Sequence, residues 1–263
     1  MSELETMTGG APVPPPLLMW RSFHVPKRGY TEKEYEDYGE GDDRRGTFAV
    51  ADGASESSFA KPWARVLVRK YLQIPIMAEE QWEYWLPPIQ KRWCEEVEKM
   101  DLPWYAQPKA DAGAFATFIG LMFEGDGTWQ SVAIGDACLC HRRGNGIKFF
   151  PIRQSSDFNT TPPLIGSRLP ADDILRNKKH RDCTGKWEPD DVFLLMTDAL
   201  AAWYMQACES RKFPPLDIDP TEATDDLSFK ERIDGLRSEG KIKDDDVTLI
   251  RVQVITASPQ LVQ

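Results

Sequence analysis

Thr47-Phe48-Ala49-Val50-Ala51-Asp52-Gly53-Ala54-Ser55 decides how this sequence is read. A run of small and apolar residues ends abruptly in an acid and a glycine. That pattern predicts a buried strand delivering a carboxylate to its own C-terminal end, with Gly53 permitting a turn that a side chain would forbid. A carboxylate at the edge of a core is costly unless positive charge meets it. Two later stretches repeat the theme. Asp190-Asp191-Val192-Phe193-Leu194-Leu195-Met196-Thr197-Asp198-Ala199 is a second apolar strand ending in an acid and a small residue. Asp244-Asp245-Asp246 immediately precedes an apolar strand over 247–254. Any one Asp at a strand end is commonly just a turn or cap residue. In antiparallel neighbours, however, one strand ends beside the next one's start. All three acidic points can therefore meet at one rim, where an all-oxygen donor set suits a hard cation, Mg²⁺ or Mn²⁺.

The remaining chain supplies the frame. Residues 17–25 read as a first strand, 26–38 as a polar loop and 39–46 as a turn. A helix is expected over 56–73, capped by Ser55, with Phe59, Trp63, Val66, Leu67 and Tyr71 on its core face. A second helical region over 79–100 should break at Pro87-Pro88, its apolar side carrying Trp82, Trp85, Ile89, Trp93 and Val97. Strands over 113–123, 129–134, 137–141 and 147–152, linked by short glycine-bearing turns, imply antiparallel sheet. Residues 155–183 lack periodicity and read as an irregular flap or lid. Helices are expected over 199–210 and 227–238. Residues 1–16, rich in proline, and 257–263 read as tails around one domain over 17–256.

Composition narrows the function. The 263 residues suffice for one large core. The balance of 32 basic against 42 acidic residues, a net charge of −10, argues against binding nucleic acid through bulk electrostatics. The five Cys follow no disulfide framework, and Cys138 and Cys140 share a strand face without a second Cys/His pair, which reads as buried thiols in a cytoplasmic protein. No apolar run reaches membrane-spanning length. Neither a Gly-x-Ser-x-Gly elbow nor a Walker motif occurs.

In order along the chain stand Tyr35-Glu36-Asp37, Ala51-Asp52-Gly53, Ile134-Gly135-Asp136, Thr197-Asp198-Ala199 and Asp245-Asp246-Val247-Thr248. This series resembles the metal-dependent protein phosphatases of the protein phosphatase 2C type, over about residues 22–254. The resemblance implies an α+β fold, a four-layer α-β-β-α sandwich of two antiparallel sheets flanked by helices. It implies two Mg²⁺ or Mn²⁺ ions between the sheets. Asp52 would bridge them, the Gly53 carbonyl would complete one, and Asp198 and Asp245 would bind the other. Glu36 would act through water, Asp37 would support that loop, and Asp111 would help hold a third, looser ion. Asp136 reads as a structural turn residue.

The implied activity is hydrolysis of phosphoserine or phosphothreonine on a protein substrate by a monomeric enzyme, with Asp52, Asp198 and Glu36 as its catalytic acids. The chain departs from the family pattern at Tyr35, Ala137, Ala199 and Asp246, where Asn, Ser, Gly and Asn are usual. It also lacks the Arg that often precedes the acidic pair, leaving Lys27 and Arg28 as candidates to grip phosphate. These changes sustain an alternative: a pseudophosphatase that uses the same fold as a binding or scaffold module.

Overall fold

The computed structural model describes residues 16–54, 59–104, 106–158, 161–210 and 225–255. The expected tails and the Ser55 cap lie outside the described residues, apart from Pro16. Eleven strands occur among those described: β1 (Leu18–Val25), β2 (Tyr38–Asp42), β3 (Thr47–Gly53), β4 (Phe115–Phe123), β5 (Thr128–Ile134), β6 (Cys138–Arg143), β7 (Gly146–Phe150), β8 (Ile165–Gly166), β9 (Arg181–Lys186), β10 (Val192–Met196) and β11 (Val247–Val254). The helices are α1 (Ala60–Gln73), α2 (Trp82–Glu98), α3 (Gln107–Ala112), α4 (Asp172–Arg176), α5 (Asp198–Glu209) and α6 (Asp226–Ser238).

One sheet runs β1-β11-β10-β6-β7; the other runs β2-β3-β4-β5-β9, with β8 pairing β4. Every pairing is antiparallel. The two-residue alternation of the strands builds three apolar layers. Phe48 and Val50 of β3 meet Phe193 and Leu195 of β10 and Ile250 and Val252 of β11 between the sheets. The opposite face of β3, Ala49 and Ala51, packs under α1 and α2. The opposite face of β10, Leu194 and Met196, packs with α5 and α6. The four-layer sandwich expected from the sequence is what forms.

The aromatic stripes are core. Trp63, Tyr71, Trp82 and Trp93 are fully buried, and the three indoles are satisfied: Trp63 Nε1 donates to the Ile165 carbonyl at 2.9 Å, Trp82 Nε1 to His180 Nδ1 at 3.1 Å and Trp93 Nε1 to the Phe59 carbonyl at 3.3 Å. Four local expectations need correction. First, α2 runs unbroken through Pro87 and Pro88. Both prolines lie on its exposed face, where carbonyls that lose an N–H partner can turn to water. Second, Gly39, Glu40, Gly41 and Asp42 are strand, not turn. A Cβ at Gly39 would meet Thr248 Cγ2 at 2.8 Å and one at Gly41 would meet the Phe48 ring at 2.3 Å, so the glycines mark close packing. Third, the strand at 137–141 does not continue in the sheet of 129–134: the chain changes sheets at Gly135, whose φ is +95°. Fourth, the 155–183 stretch contains β8, α4 and the start of β9.

Candidate functional site

The acids gather where β3, β10 and β11 meet the loop between β1 and β2. Asp52 is the penultimate residue of β3, opposite Thr117 of β4. Gly53 does not have positive φ, contrary to the turn expected there. Its requirement is space, because a Cβ would stand 2.7 Å from both Ala60 Cβ and the Glu36 carbonyl. The loop carrying Glu36 thus lies directly against the end of β3.

Asp37 is buried, at 1% exposure. It accepts a hydrogen bond from Thr248 Oγ1 at 2.9 Å and neighbours Asp52. Burial, followed by the charge of Asp246, pushes its carboxyl well above the usual range. Burial, followed by Asp37 and Asp198, does the same to Asp52. Two carboxyls so placed hold a proton between them unless a cation replaces it. Tyr35, standing where the family pattern has Asn, is buried and bonds to Thr248 Oγ1 through its hydroxyl. It braces the loop against β11.

Thr197 caps α5 in extended conformation, and its hydroxyl accepts from Thr248 N at 2.9 Å. Asp198 opens that helix, and Ala199 follows within it. Ala199 is not among the residues of positive φ, so no glycine is needed there. Asp198 Oδ2 is 3.2 Å from Lys243 Nζ, which is also 2.7 Å from Asp245 Oδ2.

The three acids before β11 divide their work. Asp244 Oδ1 accepts from Arg28 N at 3.1 Å. Asp245 faces Lys243 and the rim. Asp246, 4% exposed, accepts from Lys27 N at 2.8 Å and Glu36 N at 2.7 Å, tying the β1–β2 loop to the start of β11. Arg237 of α6 completes this clamp, donating to the carbonyls of Pro26 at 2.9 Å and Asp245 at 2.5 Å.

Other expected site residues are spread differently. Lys27 Nζ lies 3.7 Å from Glu36 Oε2 at the edge of the cluster. Arg28 turns away to α6, donating to the Asp234 carbonyl at 3.2 Å and Ser238 Oγ at 2.7 Å. Asp111 is exposed on α3, where its carboxylate accepts from Gln107. It is not among the main charges acting on Asp37 or Asp52. Conversely, Asp136 belongs to the acidic group electrostatically. Its carboxyl is pushed up to about 7, first by burial and then by Asp198. Its Gly-Asp motif was visible in the sequence, but only the sheet change at Gly135 brings it to the rim. Lys243 and Arg237 carried no sequence signal beyond their closeness to the Asp run.

The donor set suits a hard divalent cation in kind and in sign: several carboxylates and a backbone carbonyl, with pKa values raised first by burial and then by mutual repulsion. Among the described residues, no three acidic, His or Cys side chains stand close enough to hold an ion as they are placed. Lys243 lies between two of the candidates.

No protein-family model and no curated protein matches the sequence. Solved structures do match its fold. PppA, a regulatory component of the T6SS in Pseudomonas aeruginosa, is 16% identical with a TM-score of 0.58, covering 92% of this chain and 100% of that one. The catalytic domain of the serine/threonine protein phosphatase PstP, solved with two manganese ions, is 13% identical with a TM-score of 0.58, over 91% and 99%. The photosystem II phosphatase PBCP is 17% identical with a TM-score of 0.55, over 90% and 98%. The chain has the protein phosphatase 2C-type fold. In this 2C-type fold, the acids identified in the sequence occupy one rim of the sandwich, while Arg28 and Asp111 point elsewhere. No helix among the described residues is long and apolar enough to cross a membrane.

Proposed function

We propose that this chain is a metal-dependent phosphomonoester hydrolase acting on phosphoserine or phosphothreonine in proteins. The observation that carries the reading is the neighbouring Asp37 and Asp52 carboxyls, pushed well above the usual range first by burial and then by the acids gathered around them. A fold without catalytic duty gains nothing from such repulsion at the end of its central strands. Asp52 and the Gly53 carbonyl, with Asp198 and Asp245, would hold Mg²⁺ or Mn²⁺. Bound there, divalent cations supply charge that polarises a phosphoryl group and lowers the pKa of water.

The chain's own residues do the positioning. Asp37 and Thr248 fix the Asp52 carboxylate, Asp246 and Arg237 hold the loop that presents Glu36, and Glu36 orients water toward phosphorus. Lys27, beside Glu36, is better placed than Arg28 to meet the phosphate.

A second reading has its own support. Lys243 spans Asp198 and Asp245, which favours a binding module in which the acidic rim is already neutralised. Hydrolysis of para-nitrophenyl phosphate and of a phosphothreonine peptide, with Mn²⁺ and with chelator, separates the two. Metal-dependent turnover lost in Asp198→Ala supports the enzyme. A folded protein with no turnover on either substrate supports the module.

A further inference from the structure

We propose that Lys243 is a built-in counter-cation that holds the Asp198–Asp245 half of the site and must be displaced before a divalent ion binds there. The inference rests on the metal reading above.

The two halves of the rim differ in how their negative charge is met. At one half, the neighbouring acids Asp37 and Asp52 are met by the hydroxyl of Thr248, which donates to Asp37 at 2.9 Å. At the other, one ammonium lies 3.2 Å from Asp198 Oδ2 and 2.7 Å from Asp245 Oδ2. A lysine there is not a passing surface contact. Asp245 N donates to the Lys243 carbonyl at 3.1 Å, so both residues sit on one tight turn. The turn is itself anchored: Arg237 grips the Asp245 carbonyl and Asp246 holds the β1–β2 loop. Chain geometry therefore keeps the Lys243 backbone beside the two carboxylates, so that the ammonium reaches both when no ion is present.

An ammonium and a divalent ion compete for the same oxygen lone pairs, and the carboxylates cannot serve both at full strength. Displacement is feasible, because the Lys243 side chain is 63% exposed. Beside it lies a cleft of about 330 Å³ lined by Phe158, Trp203, Gln206, Lys241 and Ile242, into which the stem can swing. The two halves should accordingly bind ions unequally, the Asp52 half first and the Asp198–Asp245 half more weakly.

The test is Mn²⁺ titration by isothermal calorimetry on the full chain, comparing wild type, Lys243→Met, Lys243→Arg and Asp52→Asn. Lys243→Met keeps the stem and removes the charge. Its weaker site should tighten about ten-fold, the scale set by losing two half-exposed ion pairs. Lys243→Arg should stay close to wild type, since a guanidinium can span both carboxylates. In chelator, Lys243→Met should melt below wild type, and added Mn²⁺ should raise its midpoint by more. Mn²⁺ affinity in Lys243→Met within about two-fold of wild type, in a folded protein, overturns the inference. If that happens while Asp52→Asn abolishes binding, the metal site stands and only the role of Lys243 falls. If neither wild type nor Lys243→Met binds Mn²⁺, both the inference and the metal reading fall.

Discussion

Asp246→Ala removes the carboxylate that joins the β1–β2 loop to the start of β11. Its two oxygens accept from Lys27 N at 2.8 Å and Glu36 N at 2.7 Å, and the residue is 4% exposed. Hydrogen bonds to a charged acceptor contribute about 1.5–3 kcal/mol each, so the gross loss is about 3–6 kcal/mol. Part of this is recovered, because Asp246 is the largest charge repelling the buried Asp37. Relief of that repulsion leaves a net loss of about 2–4 kcal/mol, which in a domain of this size lowers the melting midpoint by roughly 4–16 °C.

Asp246→Asn separates the two terms. It removes the charge, keeps one oxygen for one of the N–H groups and turns an amide toward the other. The lost bond and the lost repulsion then nearly cancel, and the change should stay below about 1 kcal/mol. Urea unfolding in chelator, followed by circular dichroism and tryptophan fluorescence, measures both variants without metal binding intervening. A midpoint for Asp246→Ala equal to wild type would refute the clamp. So would equal destabilisation by Ala and Asn, since bonds and repulsion would not then be opposing each other.

Asp136 yields a pH prediction. Its folded pKa of about 7 lies above the usual carboxyl value, so its contribution to stability is full below about pH 4 and fades as pH rises to about 7. In chelator, wild type should lose more stability between pH 5 and pH 8 than Asp136→Asn; parallel profiles would remove Asp136 from the acidic group. Asp52→Asn should raise the metal-free unfolding free energy by about 1–2 kcal/mol, because it deletes a repelled carboxylate, and should abolish the Mn²⁺-induced rise in melting midpoint. A destabilised Asp52→Asn protein that still responds to Mn²⁺ would contradict both parts. Gly53→Ala should cost about 1–3 kcal/mol and weaken Mn²⁺ binding, since the new Cβ lies 2.7 Å from Ala60 Cβ and the Glu36 carbonyl. Wild-type unfolding and Mn²⁺ affinity in that variant would show that the loop is not seated on β3.

The parts of the fold legible in the sequence are those where burial follows a simple period. β3, β10 and β11 are apolar runs closed by acids, and the tryptophans of α1 and α2 fall at helical spacing. What escaped has physical causes of another kind. β2 reads as a turn because it holds two glycines, yet those glycines are there to admit Thr248 and Phe48. β9, Arg181–Lys186, is an edge strand that buries little, so no alternation betrays it. The prolines of α2 signal a break only if their partner carbonyls are denied water, and on the exposed face they are not. Asp136 reads as a turn residue, and the chain does bend at Gly135–Asp136; what sequence distance hides is the change of sheets there, which brings its carboxyl among the other acids.

The turn before β11 shows why the acids cannot be interpreted one at a time. The family pattern has Asn where this chain has Asp246, so the chain carries an additional buried negative charge a few ångströms from an already crowded rim. Alone, that substitution would worsen the repulsion acting on Asp37. It occurs on a segment that also carries Lys243, placed across Asp198 and Asp245, and beneath Arg237, which lies 3.5 Å from Asp244 and donates to the Asp245 carbonyl. Two cations, Lys243 on the turn and Arg237 on α6, therefore meet the neighbouring acids Asp198, Asp245 and Asp244 on the same side of the molecule as the added anion. The coupling has a measurable consequence. Losing Lys243 should destabilise the metal-free protein less when position 246 is Asn than when it is Asp, because the repulsion it offsets is smaller. A double-mutant cycle of Lys243→Met with Asp246→Asn reads that coupling directly, and strict additivity would show that the cation and the extra acid are unconnected.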